Sequence, residues 1–371
     1  MTATDIVIVG GGIAGASLGA ELAAHARVIL LEAEAQPGYH ATGRSAAFWS
    51  ETYGGPRIQP LTSASGGFLA YPPTDLSDRG FLSPRGAVHL AREADKARLQ
   101  CFSNEFDRQS IALLPLAAAD LETRIPGLRD GWTDALEEPG CRDIDVAALH
   151  AAYLKAFTRR DGTVMSATRV TGIHPHRAGW RVIAGGQTLD CAIVVNAAGA
   201  WADPVAQLCA ARPLGIEPRR RTILQLRVDP PAPPDLPLVI DIGETFYFKG
   251  EAGGRIWLSP HDETPSEPCD AAPEEIDIAR AIDRLSKVVD WRVERIERAW
   301  AGLRSFSQDR LPVYGYDAKC NGLFWFAGQG GFGIQTAPAA AKLAASLLLG
   351  MTADKMVADI DPAPYAPGRF A

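Results

Sequence analysis

The chain has 371 residues and a formal net charge of −7, long enough for two joined domains and too acidic for a nucleic-acid-binding surface. A hydrophobic share of 47% with 22% charged residues excludes a disordered chain and matches a globular enzyme. Six cysteines stand far apart with no C-x-x-C pair, which argues against a zinc site or a disulfide framework and for free thiols. No basic-plus-apolar leader precedes the first predicted strand. The apolar stretch 337–351 contains Lys342 and is too short to cross a bilayer, so the expectation is a cytoplasmic protein with no integral membrane segment.

The first predicted element is a buried strand over 5–9, followed by Gly10, Gly12 and Gly15 in the spacing G-x-G-x-x-G, a small-residue helix over 14–24 and a second buried strand over 27–31. The chemistry of a dinucleotide grip requires this order. Gly10 permits the tight turn, Gly12 lets backbone approach a pyrophosphate, Gly15 lets helix and strand pack closely, and the helix N-terminus faces the phosphates. Glu32, just past the second strand, suits a ribose hydroxyl. The loop 38–54 is long and without period, yet rich in Phe48, Trp49 and Tyr53, so it reads as a loop with a task. Within it Arg44 and Ser45 suit phosphate oxygens, and Ala46 and Ala47 leave room for a flat group against backbone.

Amphipathic helices are predicted over 93–109 and over the stretch beginning "RDIDVAALH", with Asp143 or Asp145 near its start and His150 as a packing or surface residue. Short alternating strands follow over 163–195. They end in "NAAGA", a second place for backbone to press on a cofactor. Strands are expected over 224–257, broken at Pro233 and Pro234, then a helix over 274–289. The stretch 291–300 reads equally as strand or helical turn. A last buried strand over 323–327 runs into a glycine cluster and a helix with Pro338 near its start, its positive end aimed at whatever the glycines surround.

Three distant segments, 9–15, 195–200 and 327–333, thus share one pattern of buried strand, small residues, then helix or loop. A flavin dinucleotide held along its whole length needs contacts from late in the chain, whereas a nicotinamide site is usually completed in one block, so the reading is FAD. "QPGYHATGRSAA", "NAAGAW", "RPLGIEPRRR", "WAGLRSF" and "GQGGFGIQT" resemble segments of the D-amino-acid oxidase (DAO) family of flavoproteins, which includes glycine and sarcosine oxidases, and among them the D-arginine dehydrogenase type in particular. The resemblance implies an α/β (α+β) fold: a glutathione-reductase-type, Rossmann-like FAD-binding domain with a mixed-sheet substrate domain. It implies non-covalent FAD, no metal, and FAD-domain pieces at 1–80, 162–215 and 305–371, with the substrate domain at 81–161 and 216–304. Along the cofactor it places Gly10, Gly12, Ile13, Ala14, Gly15, Glu32 and Ala33, then Thr42, Gly43, Arg44, Ser45, Ala46 and Ala47. Later contacts are Val170, Ala197, Ala198, Gly199, Trp201, Gly302 and Arg304, and finally Gly328, Gly330, Gly331, Phe332, Gly333, Ile334 and Gln335.

A D-amino acid must be fixed so that its α-hydrogen faces the flavin. A guanidinium fork suits that task because it binds a carboxylate bidentately. The resemblance assigns this catalytic clamp to Arg221 and Arg304, helped by Tyr53 and Tyr247, while Arg219 and Arg220 read as a solvated run. No dedicated base is evident. A carbonyl of Gly330 or Gly331 is available to the substrate amine, and the helix beyond Gly333 favours negative charge on reduced flavin.

The chain departs from the D-arginine type at two places. Gly86 and Ala87 stand where that type carries an acid for the cationic side chain, and Phe48 replaces a histidine. The expected substrate pocket is therefore apolar, lined by Phe48, Trp49, Ala87, Leu238 and Ile240 with Gly331 and Gln335, unless Asp241 or Glu244 restores an acid. The implied function is oxidative deamination of neutral apolar or aromatic D-amino acids, through an imine, to a 2-oxo acid and ammonia. The partners are the small-molecule amino acid and an electron acceptor (oxygen, a quinone or another carrier). A glycine- or sarcosine-type secondary-amine oxidase is the alternative within flavin chemistry, and a non-catalytic FAD-holding subunit or a nicotinamide dehydrogenase the alternatives outside it.

Overall fold

The computed structural model describes residues 2–370. Its architecture is mixed α/β, with parallel and antiparallel sheets. Ile6–Val9, Val28–Leu31 and Ile193–Asn196 are short apolar runs, and burial on both faces explains why none alternates with polar residues. They lie inside a six-stranded sheet in the order Thr163–Met165, Val28–Leu31, Ile6–Val9, Ile193–Asn196, Leu323–Ala327, Val313–Tyr316. All its pairings are parallel except the last. Helices Ile13–Leu22 and Ala337–Leu349 pack on one face of it, with Ile8, Leu18, Phe326 and Leu343 in one core. An antiparallel meander of Val170–His176, Gly179–Ala184 and Gln187–Cys191 covers the other face, through Trp180, Val182 and Trp325.

The second large sheet has nine strands and is mixed. Its longest members, Glu217–Asp229 and Arg292–Phe306, pair antiparallel over nearly their whole length. Leu238–Asp241 runs parallel to Ala87–Arg92, which extends the sheet to Trp132–Glu138 and Leu114–Leu116. Helix Glu275–Ser286 covers its outer face, with Ala281 and Leu285 against Leu224 and Leu226.

Several sequence expectations change here. The stretch 291–300 is strand, part of Arg292–Phe306. Helix Gln59–Ala70 had no periodic signal, because Pro60, Gly66 and Gly67 dilute it. Its small residues matter for packing: a Cβ on Gly66 would come within 2.8 Å of the Trp49 ring. Helix Val146–Arg159, assigned above to the substrate domain, packs Leu149, Tyr153 and Phe157 into the core of the six-stranded sheet. Asp145 caps it by accepting from Ala148 N at 2.9 Å. All six cysteines are free thiols. Among the described residues no helix is long and apolar enough to cross a membrane.

Candidate active site

One cavity is lined both by residues at the C-terminal ends of the parallel strands, such as Gly10 and Ala197, and by residues of the nine-stranded sheet, such as Arg221 and Arg304. At the first end its wall is backbone. Gly10 has φ +109°, and a Cβ there would lie 2.5 Å from the carbonyl oxygen of Ala197, so only glycine lets the chain ends of the paired strands Ile6–Val9 and Ile193–Asn196 come this close. Gly12, Ile13 and Ala14 line the cavity at the start of the following helix, and Ala197, Ala198, Gly199 and Trp201 face them. Gly15 does not reach the cavity. It makes the close helix–strand contact, where a Cβ would stand 1.9 Å from the Gly10 carbonyl oxygen.

Glu32 lines the cavity as expected, but its carboxylate also organises the turn: Oε2 accepts from Gly11 N at 2.7 Å and Oε1 from Glu34 N at 2.8 Å. Thr42 Oγ1 accepts from Ile13 N at 2.9 Å, which ties the long loop to the helix start. His150, expected as packing or surface, donates through Nε2 to Gly11 O at 2.9 Å. Burial pushes its pKa below the ordinary histidine value, so the neutral ring is the one that holds the turn. Nothing in the spacing of its helix marks this contact.

Ala33, Ser45, Ala46, Ala47 and Val170 all line the cavity. Ser45 Oγ accepts from Ala47 N, and Ala47 adopts φ +59°. Arg44 also lines it, but its guanidinium is turned to Asp270 and to the carbonyls of Ala271 and Ala301, so it does not present a free fork to phosphate. Gly302, Gly330, Gly331, Gly333, Ile334 and Gln335 close the cavity from the late part of the chain. Gly43, Gly328 and Phe332 sit behind it. Gly43 N donates to Gly38 O, Gly328 makes the turn after strand Leu323–Ala327, and Phe332 packs edge-on against Tyr53.

The far end is made of side chains. Arg221 pairs across the sheet with Gly302, and Arg304 lies two residues farther along the same strand. Because the strand period is two, both guanidiniums leave the same face. Arg304 Nη1 donates to Tyr53 OH at 2.8 Å, and Arg221 lies 5.8 Å over the Tyr247 ring. Arg221 is only 4% exposed. Burial and the neighbouring Arg304 pull its pKa below the usual arginine value, and burial pushes the Tyr247 phenol up. Arg221 Nη1 and Arg304 Nε are buried and unpartnered, as is Gln329 Nε2 on the cavity wall. Buried donors of this kind are strongly favoured to find an acceptor. A Cβ on Gly331 would lie 2.5 Å from Tyr53 OH and 2.7 Å from Arg304 Nη1, so this glycine leaves the clamp its space.

The arginine triplet divides by strand alternation. Arg219 stays partly exposed and pairs with Glu217. Arg220, expected to be solvated, points to the opposite face, where Asp277 at 3.0 Å and Glu274 hold it buried.

The expected apolar pocket is corrected. Phe48 lines the cavity, its ring 5.0 Å from that of Tyr53 and 6.0 Å from that of Tyr247. Trp49 does not: the next residue on a strand faces the other way, and its indole donates to Thr62 O within the core under helix Gln59–Ala70. Ala87, Leu238 and Ile240 pack together behind Tyr247 and Ile223 and do not reach the cavity. Gln335 lines it, but its amide is spent on the loop and the helix after it: Nε2 donates to Tyr53 O and Thr62 Oγ1, and Oε1 accepts from Ser50 N. Neither proposed acid is at the clamp. Asp241 is buried and accepts from Thr245, and Glu244 is exposed.

Sequence reasoning missed Glu263, which contacts Arg304 and Arg221 directly. It also missed Glu138. That carboxylate is 1% exposed and accepts from Ser50, Thr52 and the backbone of Glu51, with His89 Nε2 at 3.1 Å, so it holds the turn that carries Tyr53. Neither acid lies in a spacing that announces a partner.

A glycine-lined cradle at one end, with orphaned donors and an arginine pair at the other, fits a long dinucleotide. Comparison with known proteins agrees. The family model for DAO, described as FAD dependent oxidoreductase, matches residues 5–347. FAD-dependent oxidoreductase domain-containing protein 1 of Xenopus laevis is 27% identical over 179 residues, a match spanning 44% of this chain and 36% of that protein. Glycine oxidase of Geobacillus kaustophilus is 24% identical over 357 residues, covering 93% of this chain and 92% of the enzyme. The crystal structure of a glycine oxidase from that organism superposes with a TM-score of 0.85 at 24% identity, covering 99% of this chain and 98% of the other.

Proposed function

The chain belongs to the DAO family of FAD-dependent oxidoreductases, with FAD as its cofactor, and we propose that within it this protein oxidatively deaminates D-amino acids with neutral apolar or aromatic side chains. The observation that carries the reading is the convergence of Arg221 and Arg304 on one end of the cavity, each with a buried N–H that lacks an acceptor. A substrate carboxylate would supply the missing acceptors and hold Cα in one orientation. Such positioning is worth up to roughly 7–11 kcal/mol of barrier in favourable cases. Tyr53 OH orients Arg304, and Tyr247 and Phe48 wall the space where the side chain lies. When bound, FAD supplies the acceptor for the hydride leaving Cα. The amine proton passes to water, with a backbone carbonyl of Gly330 or Gly331 orienting the nitrogen. The imine then hydrolyses to a 2-oxo acid and ammonia, and oxygen, a quinone or another carrier takes the electrons. The likeness of "EPRRRT" and "AGLRSF" to the D-arginine dehydrogenase type supports D-stereochemistry, while Phe48 and the distance of Asp241 and Glu244 from the clamp support a neutral side chain.

One observation favours a second reading. Phe48 packs against both Tyr53 and Tyr247 and narrows the space beside the clamp, as a glycine- or sarcosine-type substrate requires, and the similarity to the Geobacillus glycine oxidase points the same way. Anaerobic bleaching of the flavin by a panel of D- and L-amino acids, glycine and sarcosine, followed by admission of air, separates the two. Fastest bleaching by D-alanine, D-valine or D-phenylalanine is expected. Glycine or sarcosine leading selects the second reading, D-arginine or D-lysine leading removes the neutral pocket, and no bleaching by any of them leaves the FAD-holding subunit. Acid precipitation is expected to release the flavin into solution, because it is bound non-covalently.

A further inference from the structure

The chain from 263 to 276 contains no buried residue. Both ends of it are fixed. Thr264 and Pro265 pair with Arg220 and Arg219, and Ser266 N donates to Pro218 O at 3.0 Å. At the other end Glu274, with Asp277 of the following helix, holds Arg220. Between these anchors, 267–273 makes no backbone–backbone hydrogen bond among the described residues. Apart from the local contacts of Ser266, two side chains of the loop 38–54 tie this stretch down. Arg44 Nη1 donates to Ala271 O at 2.9 Å, Arg44 Nη2 pairs with the Asp270 carboxylate, and Tyr39 OH donates to the same carboxylate at 3.1 Å.

Arg44 is anchored independently of these contacts. Its carbonyl accepts from Trp300 Nε1 at 3.1 Å, and its Nη1 also donates to Ala301 O at 3.0 Å. Tyr39, Arg44 and Cys269 all line the cavity, so the contact between stretch and loop is part of the cavity wall. The Asp270 side chain is 59% exposed and that of Arg44 14%. An ion pair open to water on one side contributes little, and a segment without buried residues or a backbone ladder opens at small cost. Opening gives up the contacts of Asp270 and Ala271 and leaves Arg44 on Ala301. The Arg44 guanidinium holds the Asp270 carboxyl below its usual range, so the pair is charged at neutral pH.

We propose that 267–273 is a strap over the cavity, latched at Asp270 by Arg44 and Tyr39, and that its opening is a step in the release and uptake of FAD. The inference rests on FAD lying in this cavity, which Gly10→Ala tests separately. The FAD-loaded protein is mixed with an excess of isotopically labelled FAD, and exchange is followed by mass spectrometry of the flavin released with acid. Free flavin in ultrafiltrates of the diluted protein gives the dissociation constant. Asp270→Ala, a change at an exposed side chain, is expected to exchange about fivefold faster or more, while its dissociation constant rises by less than about twofold, because a latch slows entry and exit alike. Tyr39→Phe is expected to accelerate exchange by a smaller factor, and to add nothing in the Asp270→Ala background, because its hydroxyl reaches the strap only through Asp270. Unchanged exchange in Asp270→Ala overturns the proposal. So does a dissociation constant that rises in step with the exchange rate, which makes Asp270 part of a binding contact and not a latch. An equal Tyr39→Phe effect in both backgrounds also overturns it, since Tyr39 then acts on the cavity wall directly. Should Asp270→Ala fail to hold FAD, Asp270→Asn, which keeps an acceptor and loses the charge, takes its place under the same criteria. If Gly10→Ala keeps FAD with the exchange rate of the unaltered protein, FAD lies elsewhere and the strap falls with the cradle; if Gly10→Ala loses FAD and Asp270→Ala exchanges normally, only the strap falls.

Discussion

The two ends of the cavity are built on different principles. The nucleotide end is backbone: strand ends, a helix start and glycines whose missing side chains are the recognition feature. The clamp end is long charged side chains whose meaning depends on their partners, Tyr53, Glu263 and Asp262. Backbone geometry tolerates almost no change but is insensitive to charge. A charged cluster survives single changes structurally but alters what it binds. Under the proposed function the first end holds the cofactor and the second the substrate.

The largest effect should break the first end alone. Gly10→Ala places a methyl 2.5 Å from Ala197 O at φ +109°, a strain on the order of 1–3 kcal/mol before the clash is counted. The variant should purify without flavin, read as the ratio of flavin to protein absorbance, and lose activity with it. Arg221→Met should break the other end alone. Flavin content should stay near that of the unaltered protein, while kcat/KM falls about 10²–10³-fold or more, in line with the roughly 2–5 kcal/mol attached to truncating one member of a buried hydrogen-bonded charge pair. Loss of flavin in this variant would mean the two ends are not separable.

A pH series sharpens the comparison because both ends hold a histidine neutral. Burial lowers the pKa of His150, beneath the glycine turn, and that of His261 falls to about 2 through burial and the nearby Arg221 and Arg304. Both folded values lie below the unfolded histidine value of about 6.5. The unfolded chain therefore takes up protons first, and the stability these neutral rings contribute is complete above pH 6.5 and is lost as pH falls towards the folded values. The melting temperature should decline by a few degrees per unit between pH 6.5 and 5. His261→Phe should flatten the decline, and an unchanged slope in that variant would remove His261 from the account.

The smallest effect separates neighbours on one strand. Phe48→Ala should shift relative kcat/KM several-fold towards bulkier side chains, because this ring walls the clamp. Trp49→Phe should leave the preference unchanged and lower only stability, by about 1 kcal/mol or somewhat more, for the lost indole hydrogen bond and volume. A preference altered by Trp49→Phe would return that residue to the pocket.

What the chain alone determined is its local, periodic content. The strand–glycine–helix–strand unit, the three small-residue turns and the late helix each follow from neighbours within a few residues, so 6–9, 13–22, 28–31, 193–196 and 323–327 were legible, and with them the cofactor. Arg221 and Arg304 were found only through resemblance to known segments. Which residues stand beside them was a matter for tertiary structure. Arg221 meets Arg304 because two long strands pair in one register, Trp49 turns from the cavity because alternation sends it to the core, and Glu263 reaches the clamp from a loop with no period at all. Hydrophobic pattern reports burial along one element. Contacts between charged groups far apart in the chain leave no such trace, because their energy depends on the register and packing of whole sheets.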